Sequence, residues 1–310
     1  MSFTVVPLQG LGLPTGSAIP FGTKFVLQDV PEWLKQDESY LKDLSREERR
    51  DTLDAKQALV SEYYANSFGY PDPEWTGQQP KGIQNLRLQS AMLANMSIWL
   101  IQPTPIRFTI AFHALTHLES RVIDPPVIMH SPSTPPLWCH PRDGSNPILP
   151  RHLIEAAKLF ERLSIVPRKN DIWAALRAFW AALASYQPDY RYPLFWQGIE
   201  SLFGSDKTWK VSLRIRDRLS YFLADTPATR EEICDMVEAC YKTRSEIVHG
   251  RWNEGPELDD RIYETEGIVR TVVRHIADKP GMLGAFLSPK RDDFLEAWVR
   301  SKSLTPPPLP

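Results

Sequence analysis

Two side chains near the end of one amphipathic stretch, Arg244 and His249, are of the types that chemistry at a phosphate uses. An imidazole titrates near neutral pH and can take or give a proton. A guanidinium grips two phosphate oxygens and stabilises charge that builds up on them. The stretch is TREEICDMVEACYKTRSEIVHG, Thr229–Gly250. Its apolar stripe runs Ile233, Val237, Cys240 and Ile247, flanked by Met236, Tyr241 and Val248. Arg244 falls in the gap where Leu or Val would continue that stripe. An arginine on such a face must be paired or must face an interface, because an unpaired buried charge is costly. A snorkelling arginine or a structural ion pair is the alternative to a functional role. At about 100° per residue, His249 lies about 140° around a helix from Arg244. The two meet at one phosphate only through a bend at the helix end or a second copy of the helix. Taken alone, a histidine there also suits the negative end of the helix dipole.

The element that positions this pair is predicted as a helix over 228–250. Thr226 and Pro227 are good N-cap and N1 residues, and Gly250 is a natural terminator. The motif Tyr241-x-x-Arg244-Ser245-x-x-Val248-His249-Gly250 follows Ile199-Glu200-x-Leu202-Phe203 on the preceding helical stretch. In this pattern, which contains an R-x4-H motif, the chain from about 150 to 302 resembles the HEPN superfamily, most of all its ApeA-like group.

That resemblance implies a helical bundle that forms a two-fold homodimer, with the motifs of two copies meeting in one site. It implies an endoribonuclease that cuts RNA without metal or cofactor, through attack of the ribose 2′-hydroxyl. Arg244 and His249 are then the catalytic residues. Ser245 is a hydrogen-bond donor to the phosphate, and Glu200 pairs with Arg244; an exposed carboxylate is the alternative for Glu200. By analogy alone, the biological role is that of a cytoplasmic effector in antiviral defence or a toxin–antitoxin system, with a regulatory or antitoxin protein as a further partner. Two alternatives stay open. One is a non-catalytic HEPN module that binds RNA, a nucleotide or a protein. The other is a scaffold in which Arg244 serves only the dimer interface.

Lys210, Arg214 and Arg218 recur every fourth residue on one helical ridge, with Lys207 and Arg216 nearby. This ridge is a candidate for guiding an RNA backbone, and Lys242 and Arg251 are further RNA-binding candidates. A solvated helix face, tempered by Asp206 and Asp217, is the alternative. His113 and His117 have HxxxH spacing but lack the glutamate of a zinc protease motif, so no metal site is expected. Trp138-Cys139-His140 is assigned no chemistry. Trp173, Phe179 and Trp180 are expected in the core or at a dimer interface. The Gly10, Gly12, Gly16 spacing does not match a phosphate loop.

A net charge of −2 argues against a general nucleic-acid packager, so any RNA contact must be local. Three cysteines without CxxC spacing argue against a disulfide framework and fit a reducing compartment. No apolar run approaches the roughly 20 residues of a membrane span, and no signal peptide is apparent. A cytoplasmic protein with no membrane contact is the expectation.

The whole is predicted to be mainly α, with four parts: an α+β module over 1–124, a Pro-rich connection over 125–150, a helical domain over 151–303 and a Pro-rich tail over 304–310. In the module, Phe21–Leu27 reads as a strand, and Ser45 with Glu48 as a capping box opening a helix that runs to about Tyr64. Leu86–Ile101 is ambiguous, and Ile106–Phe112 alternates like a strand. Beyond it, helices are predicted near 152–164, 171–186, 193–204, 207–223, 228–250, 258–278 and 290–302, with Gly204, Pro227, Gly250, Pro280 and Pro289 as breaks.

Overall fold

The computed structural model describes residues 2–36, 38–63, 81–115, 127–130, 137–142, 147–204, 211–224, 226–252 and 257–303. The chain is mainly helical, with one small antiparallel sheet near its start. It forms two compact units, Met1–Ser164 and Ile165–Pro310.

The first unit holds strands β1 (Ser2–Leu8), β2 (Ile19–Phe21), β3 (Phe25–Asp29), β4 (Gln57–Tyr63), β5 (Ile110–Leu115) and β6 (Val127–His130). They form one sheet in the order β2-β3-β4-β1-β5-β6, with every pairing antiparallel. Short helices α1 (Glu32–Gln36), α2 (Glu38–Leu41) and α3 (Arg46–Asp54) lie between β3 and β4. Helix α4 (Lys81–Ile101) follows β4, and α5 (Pro150–Ser164) closes the unit.

Several expectations change here. Strand β1 was not foreseen, although it lies between β4 and β5. Thr4 to Leu8 are all buried, so the strand shows no in–out alternation to read. Its Pro7 lies past Val5, where pairing with β5 ends, so its missing N–H is tolerated. The single strand expected over Phe21–Leu27 is instead a hairpin. Phe21 pairs with Phe25, and Gly22 in the turn has φ +57°. Partners across an antiparallel ladder share a face, so Phe21 and Phe25 keep the alternation while the chain reverses. Both rings pack on Phe160 of α5, at 6.0 and 6.2 Å between centroids.

The capping box forms as expected: Ser45 Oγ accepts from Glu48 N at 3.3 Å, and Glu48 Oε2 accepts from Ser45 N at 2.9 Å. The helix nevertheless stops at Asp54, and Gln57–Tyr63 is a strand held by both β1 and β3. Long-range pairing outweighs local helix propensity in that segment. Leu86–Ile101 belongs to α4, which is buried on all sides from Leu93 to Leu100. β5 starts at Ile110, but the alternation before it is real: Ile106 and Phe108 are buried and Arg107 bridges Gln9. Gly10 sits in a loop at φ +81°, where a Cβ would lie 2.7 Å from the Pro105 carbonyl oxygen.

The boundary also moves. β6 joins the sheet inside the expected Pro-rich connection. Helix α5, expected to open the helical domain, belongs to the first unit. Its stripe of Leu153, Ala156, Phe160 and Leu163 packs on α4 and β2.

The second unit is a helical bundle of α6 (Asp171–Leu183), α7 (Pro188–Phe203), α8 (Val211–Leu223), α9 (Pro227–Val248), α10 (Glu257–Asp278), α11 (Pro280–Leu287) and α12 (Arg291–Ser303). α7 is central and contacts α6, α8, α9 and α10. It buries Tyr192, Phe195, Trp196, Ile199, Leu202 and Phe203. Gly198 admits the Phe179 ring of α6; a Cβ there would lie 2.1 Å from Phe179 Cε1. α7 begins earlier than expected because Pro188 sits at its first turn and Pro193 is tolerated inside it. Pro280, read as a break, likewise starts α11. The tail over 304–310 lies outside the described residues.

Candidate functional site

The site is set by α9 crossing the middle of α7. Thr226 caps α9, accepting from Thr229 N at 3.2 Å, with Pro227 in the first turn. The far end closes in a Schellman motif. Gly250 has φ +65°, its N–H donates to Ile247 O at 3.0 Å, and Arg251 N–H donates to Glu246 O at 2.8 Å. His249 is the C-cap residue between them, and its N–H donates to Ser245 O at 3.1 Å.

The tyrosine and cysteine of this crossing serve packing. Tyr192 of α7 donates its hydroxyl proton to Cys240 O of α9 at 2.9 Å. Burial holds the Tyr192 hydroxyl far above its usual titration range. Burial also pushes the Cys240 thiol up to about 11, and it donates to Glu264 at 3.4 Å. A thiol so protonated is not a nucleophile near neutral pH. Glu264 is itself held by Arg261 at 2.8 Å.

The misfit arginine lies at the rim of this packed seam. Val237 and Cys240 are fully buried, whereas the Arg244 side chain is 24 % exposed. Its Nη2 lies 3.1 Å from Glu200 Oε1 and donates to Glu200 Oε2 at 3.2 Å, while Oε1 accepts no hydrogen bond among the described residues. Glu200, expected to be this partner, is covered to the same degree, with its side chain 25 % exposed. The Arg244 Cζ stands 5.7 Å from the centre of the Tyr241 ring, within cation–π range. Trp196, fully buried one turn before Glu200, meets the Tyr241 ring edge-on at 5.6 Å and 86°. Burial, and then the Glu200 charge, raise the Tyr241 hydroxyl's pKa, while Arg244 opposes the shift. Tyr241 therefore stays a neutral hydroxyl near pH 7.

Sequence reasoning named Arg244 and Glu200 but assigned no role to Tyr241 or Trp196. Their signal is spacing: Tyr241 lies three residues before Arg244, and Trp196 four before Glu200. It is useful only once α7 is known to face α9.

His249 is exposed at the open end of α9, and its ring has no hydrogen bond or ion pair among the described residues. Arg244 turns toward α7, so one chain does not bring the two onto a shared face. Ser245 is half-buried between them. Lys242 is exposed and 3.9 Å from Glu246, and Arg251 is exposed beside the Schellman turn.

The basic ridge on α8 is a correction. Lys210 lies outside the described residues. Arg214 is only 21 % exposed and pairs with Glu296 at 3.8 Å. Arg218 is 2 % exposed and is consumed by four acceptors. It donates to the carbonyls of Phe203 and Gly204 at 3.0 Å each, to Asp292 at 3.2 Å and to Glu296 at 2.9 Å. It thus caps the C-terminal end of α7, where the helix dipole favours a cation. It is not available to RNA.

The His113 side chain and His117 lie outside the described residues. His140 is buried, with Arg142 N–H donating to its Nδ1 at 3.2 Å, a local turn contact. Phe179 and Trp180 are core residues, while Trp173 is half-buried under Arg168 at 5.6 Å. Among the described residues, no group of three or more His, Cys, Asp or Glu side chains is placed to hold a metal ion. No described helix is long and apolar enough to cross a membrane.

Comparison with protein-family models, curated proteins and solved structures returns no match for this chain.

Proposed function

We propose that the helical unit is a metal-independent endoribonuclease of HEPN type, working as a two-fold homodimer. The observation that carries this is a guanidinium at the rim of the packed seam, Arg244, paired with Glu200, with an exposed imidazole, His249, that has no hydrogen bond or ion pair among the described residues, at the end of the same helix. Proton transfer and charge stabilisation at a phosphodiester need these two groups.

In this mechanism one His249 takes the proton of a ribose 2′-hydroxyl, and the 2′-oxygen attacks the adjacent phosphorus. The bond from phosphorus to the 5′-oxygen breaks. His249 of the second copy, in its protonated form, gives a proton to the leaving 5′-oxygen. Arg244 faces the non-bridging oxygens, and Ser245 adds a hydrogen bond. The products are a 2′,3′-cyclic phosphate and a 5′-hydroxyl. The dimer answers the divergence of Arg244 and His249 within one chain. Lys242 and Arg251, exposed at this end of α9, supply local positive charge for the strand. An effector in antiviral defence or a toxin–antitoxin system, cytoplasmic and restrained by a regulatory protein, fits such an activity by analogy.

A specific observation favours a second reading. Glu200 already neutralises Arg244, as it would in a module that only binds RNA, a nucleotide or a protein. Incubating the purified protein with RNA, with and without EDTA, separates the two. The ribonuclease reading expects cleavage at the same rate in EDTA. Activity abolished by EDTA and restored by magnesium would sink the metal-independent mechanism, and binding without cleavage would favour the second reading.

A further inference from the structure

We propose that Tyr241 is a positioning residue for Arg244: its ring face carries the guanidinium, so that Arg244 keeps its orientation when a phosphodiester takes Glu200's place on it. This rests on the reading of Arg244 as the phosphate-binding group. Four residues on two facing helices make the device, Trp196 and Glu200 on α7 and Tyr241 and Arg244 on α9.

Glu200 alone does not fix the guanidinium. Both of its oxygens lie near the same nitrogen, Nη2, which donates only to Oε2, and the buried Nε has no hydrogen-bond partner among the described residues. A fork held by one nitrogen can still swing about that contact, unlike a bidentate pair. The Tyr241 ring, 5.7 Å from Cζ, supplies the second point of support. That ring is itself held, because fully buried Trp196 meets it edge-on at 5.6 Å. The orientation of Arg244 thus traces back to a rigid core aromatic.

A phosphodiester oxygen that takes Nη2 displaces the Glu200 carboxylate and with it the hydrogen bond that holds the guanidinium. The Tyr241 ring remains under Cζ and keeps the fork in place. Glu200 then serves as a counter-anion that a phosphodiester can replace, and Arg244 need not wait charged and unpaired.

The test uses full-length Tyr241→Leu and Tyr241→Phe, with two readouts: RNA cleavage kinetics, and the NMR resonance of the Arg244 Nε–H group. Tyr241→Leu is expected to broaden or lose that resonance and to lower kcat by roughly 10²-fold with KM little changed, as for a misplaced catalytic group. Tyr241→Phe keeps the ring. It is expected to keep both the resonance and the wild-type rate. An unchanged Arg244 resonance in folded Tyr241→Leu overturns the proposal. If Tyr241→Leu does not fold, Tyr241→Phe decides: a retained resonance at wild-type rate supports the ring's role, and a lost resonance overturns it. A wild-type protein that cleaves no RNA, with the resonance still lost in Tyr241→Leu, rejects the ribonuclease reading while the positioning of Arg244 stands.

Discussion

His249→Ala is expected to fold, to remain a dimer in light scattering, to melt close to wild type, and to be nearly inactive on RNA. Its ring is exposed and has no hydrogen bond or ion pair among the described residues, so little packing is lost. The Schellman closure runs through backbone groups of Gly250 and Arg251, which alanine at the C-cap leaves intact. The remaining loss, a favourable charge at the helix end, amounts to about 1 kcal/mol or less. Removing a proton-transfer group lowers rate by about 10²–10⁴-fold. The two effects differ enough that thermal melting and cleavage on one preparation separate them. Full cleavage by a folded His249→Ala dimer would remove His249 from the mechanism.

The second large effect concerns stability. Arg218→Ala is expected to weaken folding of the helical unit by about 2–4 kcal/mol, a value below that for a wholly buried ion pair because its carboxylate partners reach solvent. The guanidinium is 2 % exposed, whereas Asp292 and Glu296 are 39 % and 45 % exposed. The larger part of the loss comes from the Phe203 and Gly204 carbonyls, which lose their donor at the buried end of α7. Arg291 also reaches Gly204 O, at 3.4 Å, and softens the loss without replacing it. Arg218→Lys restores charge but not a fork that meets four acceptors, so only partial recovery is expected. The urea midpoint measures this. An unchanged midpoint together with weakened RNA binding would restore the solvent-facing role that the sequence ridge implied.

The sequence carried enough signal to show why that ridge misleads. Ile215, Leu219 and Phe222 form a buried stripe on α8, and Arg218 lies three residues after the first and four before the last. It therefore shares the inner face. Spacing of basic residues alone says only that they are neighbours, not which way they face. Arg244 was legible for the opposite reason: it interrupts an apolar stripe, and the break in pattern marks the inner face directly. Glu200 was legible through the family-like motif. Tyr241 and Trp196 were not, because their role depends on which helices cross.

The same division runs through the fold. Helices of the second unit are amphipathic and bounded by Gly or Pro, and most lie within a few residues of where their pattern places them. The first unit depends on pairings far apart in sequence. Nothing within Gln57–Tyr63 announces that β1 and β3 will flank it, and nothing in Ser2–Leu8 alternates. Helix α5 has a clear amphipathic pattern, yet only its contacts with α4 and β2 show which unit it completes.

The central claim is that the ribose 2′-hydroxyl is the nucleophile, brought into play by Arg244 and His249. The direct measurement compares an RNA oligonucleotide with the same strand carrying a single 2′-deoxyribose at its cleavage site, both in EDTA. Cleavage of the all-ribose strand to a 2′,3′-cyclic phosphate end, with the 2′-deoxy strand uncut at that site, is the predicted result. Equal cleavage of both strands would contradict it.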